Sequence, residues 1–324
     1  MRTTWYIDTK KELDPYGFII PEQFQKKTNS FLPKYVETMA NMHDKWAAFH
    51  NRNINRKLFA GTNLTHSERH QFKHLARLGF PAQIRGTFWT LCSGADKKRS
   101  QKSNNYYKQI FQREKVSKAN AQQILKDITR TFPTNKRFDK KRQQQLKRIL
   151  EAYSCHDKEI GYCQGMNFIA GMLLLFFNDE EDAFWVLAAI LEDILPGSYH
   201  AKGMAALRCD VTVLQILVRK ELPRVYNHLQ ANDVPWMLVG SKWLMPLFVL
   251  GLPTESLLRV WDVFFLEGSQ VLLGAALAIL KICKDDILAA TDQTELFAMI
   301  ANLPNTIYDC EELLKVCVSF KLKK

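Results

Sequence analysis

The sequence has no long apolar run. Its longest stretch without charge, Ile160 to Asn178, is broken in its first half by Gln164, Asn167 and two glycines. The purely apolar part, Phe168–Phe177, is ten residues long. At about 1.5 Å of rise per residue it reaches roughly half-way across a bilayer core, so a buried helix is expected there. The start, MRTTWYIDTKKELDPYGF, lacks the apolar stretch of a secretion signal, and export is not expected. Paired cysteines are also missing. The seven thiols, at 92, 155, 163, 209, 283, 310 and 317, are odd in number and never spaced C-x-x-C, which fits reduced thiols in the cytoplasm. No Gly-, Ser- or Pro-rich tract suggests a linker, no period-2 alternation between turn residues suggests an exposed sheet, and no 30–45-residue repeat suggests a solenoid. Neither GxxxxGK[ST] nor a strand-borne GxGxxG occurs, so the chain is expected to bind no nucleotide and no cofactor of its own.

What is present is an ordinary globular composition: 324 residues, 47% hydrophobic and 24% charged, enough to bury a large core. The formal net charge of +12 is local. Residues 96–148 hold 17 Lys/Arg and 4 Asp/Glu, a net of +13, and the rest of the chain holds 28 and 29, a net of −1. Such a face attracts an acidic protein, anionic lipid or nucleic acid through the same field. No RNA- or DNA-reading motif accompanies it, so nucleic acid is not expected as a partner.

Helical periodicity runs almost throughout and predicts an all-α fold. In the first half it places helices over Leu64–Leu78, capped by Thr65 or Ser67 and stopped by Gly79, then Ala82–Cys92, Gln122–Thr131, Lys140–Tyr153 and Met166–Phe177. In the second half it places them over Glu181–Leu195, Leu207–Arg219, Trp236–Leu250, Glu255–Leu266, Val271–Lys284, Glu295–Ala301 and Glu311–Val318. Residues 1–60 read as an N-terminal arm and 61–324 as one domain. Within that domain, two helical sub-bundles, about 61–200 and 201–324, divide near Leu195–Met204, where PGSYHAKG supplies a proline and two glycines. Residues 93–105, SGADKKRSQKSNN, read as a mobile basic loop.

Two segments carry candidate chemistry. In ILKDITRTFP (124–133), Asp127 and Arg130 are three apart on one helix face and can pair, Ile124 faces the core, and Pro133 pushes Phe132 out of the α region and ends the helix. An arginine there projects from a rigid helix end, braced by a carboxylate; alone, the pair is worth only a few tenths of a kcal/mol. In GYCQGMN (161–167), Gln164 sits between Gly161 and Gly165 just before an apolar helix. Its amide can both donate to and accept from a water. The bland reading is a helix start with Gln164 as a polar neighbour. Other clusters are weaker. His66, His70 and His74 share a helix face with no completing ligand, and Cys155, His156 and Cys163 lack metal spacing. The tryptophans Trp185, Trp243 and Trp261 read as core, and Trp261–Asp262 as a buried structural bond across the C-terminal bundle.

RGTFW (85–89), ILKDITRTFP (124–133) and GYCQGMNF (161–168) resemble, in order, the three signature segments of TBC-domain proteins, the GTPase-activating proteins of Rab GTPases. The likeness continues through SKWLMPLF (241–248) and RVWDVFFLEG (259–268), covering roughly residues 79–320. DPYGF (14–18) is similar to small single-domain members. SCHDKE (154–159) departs from the Asn-Pro pair of many members, which bears on the local loop shape.

The resemblance implies the TBC fold and a dual-finger mechanism. Arg130 matches the arginine finger and Gln164 the glutamine finger, both inserted into the nucleotide site of a GTP-bound Rab. Asp127 matches the carboxylate orienting the arginine. Arg85 and Trp89 match mainly structural positions around the site, and Tyr162, Gly165 and Asn167 support the glutamine segment. GTP and Mg²⁺ belong to the partner. The expected setting is cytoplasmic, peripheral on endomembranes, with residues 96–148 meeting an acidic Rab surface or anionic membrane. The alternative is an adaptor that binds a GTP-loaded Rab without catalysis.

Overall fold

A computed structural model describes residues 13–50 and 65–322. Leu64, and residues 1–12 and 51–60 of the expected arm, lie outside them. Thr65 opens a helix by a capping box, accepting from the Glu68 amide at 3.2 Å while its own amide donates to the Glu68 carboxylate at 2.8 Å. Local signals of this kind set most boundaries. The helices of the first half are α1 (Glu22–His50), α2 (His66–Leu78), α3 (Ala82–Ser93), α4 (Ala95–Ser100), α5 (Tyr106–Arg113), α6 (Lys118–Arg130), α7 (Lys140–His156), α8 (Met166–Leu174) and α9 (Glu180–Ala189). A π turn, Ile190–Ile194, extends α9. After the loop at 195–204 follow α10 (Ala205–Glu221), α11 (Pro223–Ala231), α12 (Trp236–Val239), α13 (Thr254–Glu267), α14 (Gln270–Ile282), α15 (Lys284–Ala289), α16 (Gln293–Asn302) and α17 (Cys310–Ser319). The described residues contain no strand, only a β-bridge between Leu13 and Ile19.

α7 packs against α6, α8 and α9 in one group; α10 packs against α11, α12 and α14 in the other. The seam between them is α13, which touches α2, α3, α14 and α17. It is apolar almost all round, as a helix buried on every side must be, and Leu258, Val260, Trp261, Val263 and Phe264 have no accessible surface.

Four differences from the sequence expectations have local causes. Part of the expected arm is helix α1, whose Met42, Trp46 and Phe49 enter the core. Trp46 donates to the Gly79 carbonyl at 2.7 Å amid Phe49, Phe72, Phe80 and Phe88. The expected basic loop is largely α4, begun after a left-handed Gly94 with Ala95 buried; Arg99 reaches Asp182 at the start of α9 and Lys98 reaches Glu192 in the π turn that follows it. The expected helix Trp236–Leu250 is only α12 plus a π turn, Gly240–Leu244, because Pro246 has no amide to continue it. α6 starts four residues before its expected Gln122, capped by the Ser117 hydroxyl on the Asn120 amide at 3.1 Å.

Candidate functional site

α6 turns Ile124 and Ile128 into the core and carries Asp127 between them, 1% exposed. A buried carboxylate must be hydrogen-bonded, and this one has three partners. Gln123 Nε2 (3.1 Å) and Arg130 Nε (2.9 Å) donate to Oδ1, and the Tyr162 hydroxyl donates to Oδ2 at 2.6 Å. Arg130 Nη2 adds an ion-pair contact to Oδ1 at 2.8 Å. Arg130 is the last residue of α6, its side chain 45% exposed, and its Nη1 has no hydrogen-bond partner among the described residues. Burial, together with donation to Asp127, pushes the Tyr162 hydroxyl well above its usual pKa, so it stays a donor at neutral pH.

The exit from α6 is held as firmly. Thr131 donates to the Asp127 carbonyl at 2.7 Å and accepts from Asn167 Nδ2 at 2.8 Å. Phe132 leaves the right-handed helical region as Pro133 requires, but into the left-handed region at φ 50° rather than an extended one. Edge contacts with Phe18 and Phe138 hold its ring.

On the other segment, Gln164 is exposed and flanked by left-handed Gly161 (φ 63°) and Gly165 (φ 111°). Asn167 is fully buried; its Oδ1 accepts from the Gly165 amide at 3.1 Å while its amide reaches Thr131. Gly171, one turn further, lets α8 approach the exit closely, since a Cβ there would lie 2.9 Å from Thr131 Cγ2 and 3.0 Å from Phe132 Cε2. Tyr162–Asp127, Asn167–Thr131 and the Gly171 approach therefore join the two segments, one presenting exposed Arg130 and the other exposed Gln164.

Arg85 and Trp89 are buried away from this pair. Arg85 Nε donates to Asp262 Oδ1 at 3.1 Å and its Nη2 to Oδ2 at 3.2 Å; Trp89 Nε1 donates to Oδ1 at 2.8 Å, and the Phe80 amide to Oδ2 at 2.9 Å. Burial raises the Asp262 carboxyl above its usual range against the opposing pull of Arg85. Asp262 thus bonds to the N-terminal half, while Trp261 makes the expected bond across the C-terminal bundle, its Nε1 donating to the Leu247 carbonyl at 3.0 Å. Arg85 Nη1 also donates to the Tyr16 hydroxyl at 3.2 Å. The Tyr16 carbonyl accepts from Asn135 Nδ2 at 3.3 Å, and the Gly17 carbonyl from the Lys136 amide at 3.0 Å. Support runs from Arg85 through residues 16–18 to the α6 exit. Sequence reasoning missed this role of DPYGF, although its Asp, Pro and Gly are turn residues: Asp14 Oδ1 accepts from the Tyr16 amide at 2.9 Å and the Phe18 amide at 2.8 Å. It also missed Met245, against whose side chain Gly165 lies.

The basic segment is only partly free. Lys98 binds Glu192 at 2.7 Å, Arg99 binds Asp182 at 3.0 Å, and Arg148 chelates Glu180. Lys136, Arg137, Lys140 and Lys141, just past the α6 exit, are exposed and have no ion pair among the described residues. His66, His70 and His74 are exposed along α2.

The family model of the Rab-GTPase-TBC domain matches residues 82–288. The human growth hormone-regulated TBC protein 1 is 38% identical over 284 residues, spanning 86% of this chain and 80% of that protein. Mouse TBC1 domain family member 2A is 34% identical over 321 residues, 94% of this chain but 33% of that longer protein. Among solved structures, the Chlamydomonas flagellar RabGAP TBC domain superposes with a TM-score of 0.77 at 31% identity, covering 95% of this chain and 98% of that one. The Ypt/Rab-GAP domain of Gyp1p shares the fold, with a TM-score of 0.65 at 21% identity over 77% of this chain and 90% of that one. The match over most of the domain, with the α6 and glutamine segments inside it, shows that the chain belongs to the TBC-domain family of Rab GTPase-activating proteins.

Proposed function

We propose that this chain accelerates GTP hydrolysis on a Rab-type GTPase by lending it Arg130 and Gln164. One observation carries the reading: an exposed arginine at a helix end is clamped to a buried carboxylate, and that carboxylate is tied by Tyr162 to the loop presenting an exposed glutamine. Hydrolysis builds charge on the γ-phosphate and the β–γ bridging oxygen and needs its water held in line. A guanidinium offers permanently charged, planar donors that can bond two oxygens together, which a lysine cannot reproduce. With Nε and Nη2 on Asp127, Nη1 is free for phosphate. Gln164 orients the water through its carbonyl. The partner holds GTP and Mg²⁺, and this chain needs no cofactor. Lys136, Arg137, Lys140 and Lys141 draw the acidic face of the GTPase toward the α6 exit, raising encounter rate more than turnover.

An arginine finger is worth about 10³–10⁵ in rate, or about 4–7 kcal/mol. Gln164 makes no buried bond among the described residues, and Asp127 keeps Gln123 and Tyr162 when Arg130 is removed, so both variants are expected to fold, Arg130→Ala with a modest loss of stability. In single-turnover hydrolysis across a Rab panel, Arg130→Ala and Gln164→Ala should each lose most activation while melting within a few degrees of the parent. Full activity in either variant excludes the two-finger reading. Binding to GTP-loaded Rab with no acceleration by the parent chain supports the adaptor instead.

A further inference from the structure

A cavity of about 480 Å³, within the usual range for small-molecule sites, lies between residues 14–21, α1 and the stretch 249–257. Phe18, Phe24, Tyr35 and Tyr308 give it an aromatic wall. Ile19 and Leu250, 43% and 51% exposed, add an apolar rim. Its charges are lopsided. Asp14, Glu255, Asp309 and Glu311 line it against one lysine, Lys34. Three of these carboxylates already have cations: Glu255 lies 3.7 Å from Arg85, Asp309 binds Lys34 at 2.6 Å, and Glu311 binds Arg259. Asp14 holds the turn amides of Tyr16 and Phe18 and the Thr254 hydroxyl, with Arg137 near it but no cation at ion-pair distance among the described residues. The Lys27 ammonium, which donates to the Thr306 carbonyl at 2.7 Å, sits 5.9 Å from the centre of the Tyr308 ring.

The cavity touches the supports of both exposed residues of the site. Phe18 packs edge-on against Phe132 at 5.0 Å, and Met172 follows Gly171, which abuts Thr131 and Phe132. On the opposite wall, Val249 follows Leu247 and Phe248, both left-handed at φ 49° and 65°. Just before them, Met245 contacts Gly165. Two consecutive non-glycine residues in that conformation are strained, and they link the wall at Val249 to Met245 beside Gly165.

We propose that this cavity is a regulatory site for an amphipathic organic cation, an aromatic body bearing an ammonium group beside Asp14. Its occupancy stiffens the α6 exit and the glutamine loop together. Only the consequence for GTP hydrolysis rests on the function proposed above.

The probe is 4-phenylbutylamine, with 4-phenylbutan-1-ol as its neutral counterpart, each titrated into the full chain at neutral pH by calorimetry. The amine should bind about tenfold more tightly, the size of one partly desolvated cation–aromatic and carboxylate contact. Asp14→Asn keeps an acceptor for the two turn amides and should erase that preference while sparing alcohol binding. Thr38→Trp, which fills the cavity from α1, should abolish binding of both probes and decides the matter if Asp14→Asn does not fold. With the amine bound, amide hydrogen exchange should slow at 131–135 and at 161–167. Equal affinity for the two probes, a preference that survives Asp14→Asn, or undiminished binding to Thr38→Trp overturns the site. Binding with unchanged exchange overturns its regulatory role. No readout uses GTP hydrolysis, so failure here is distinct from failure of the two-finger reading.

Discussion

Arg130 and Asp127 look in sequence like any i,i+3 surface pair, worth a few tenths of a kcal/mol. In the fold Asp127 is 1% exposed and shared with Tyr162, 35 residues away, and that long-range bond distinguishes a positioned arginine from a solvated one. The residue types and their helix were legible from spacing and from Pro133. The Tyr162 bond was not, because no periodicity reports which loop packs on a helix end. Tyr162→Phe leaves Asp127 Oδ2 without a donor in a buried place, and denaturant unfolding should show a loss of about 1–3 kcal/mol. Activation should fall as well, because the clamp on Arg130 is looser. Unchanged stability would mean that water replaces the hydroxyl and that Asp127 is less enclosed than described.

Among the elements, helices with local start and stop signals were read closely, as Thr65 and Gly79 show for α2. Errors arose where tertiary packing overrode composition. Residues 93–105 are basic enough to suggest a loop, yet Lys98 and Arg99 find carboxylates on the α9 segment and α4 forms. The loop 195–204 appeared only as a break, but it holds His200, whose ring bonds the Met245 carbonyl at 3.0 Å. Burial lowers the His200 pKa from 6.5 to about 4, partly opposed by that bond. The unfolded chain therefore takes up a proton below about pH 6.5 that the folded chain refuses until about pH 4, so stability falls as the pH drops through that window. Between pH 7 and pH 5 this histidine alone should remove about 2 kcal/mol. His200→Gln, unfolded by urea at both pH values, should lose that much less than the parent; parallel losses would show that His200 titrates normally.

For the whole molecule, the all-α class and the order of the three motif segments were readable, and so was the position of the charge excess. The path of support was not. It runs from α13 through Asp262 and Arg85 to Tyr16, then to Asn135 beyond the α6 exit, joining residues 246 positions apart in sequence between Tyr16 and Asp262. The N-terminal stretch read as an arm because its helical periodicity is weak, yet Trp46 is 3% exposed inside the aromatic cluster. Trp46→Ala should destabilise the chain by about 3–5 kcal/mol in denaturant titration. A loss under about 1 kcal/mol would make α1 an appendage after all.

The most direct test of the two-finger reading is aluminium fluoride-dependent binding to GDP-loaded Rab, because the fluoride complex mimics the phosphoryl group in transit. The parent chain should bind far more tightly when aluminium fluoride is present, and Arg130→Ala and Gln164→Ala should each lose that increment while keeping the weaker binding to the GTP-loaded form. An increment of the same size in both variants would place the acceleration elsewhere in the complex.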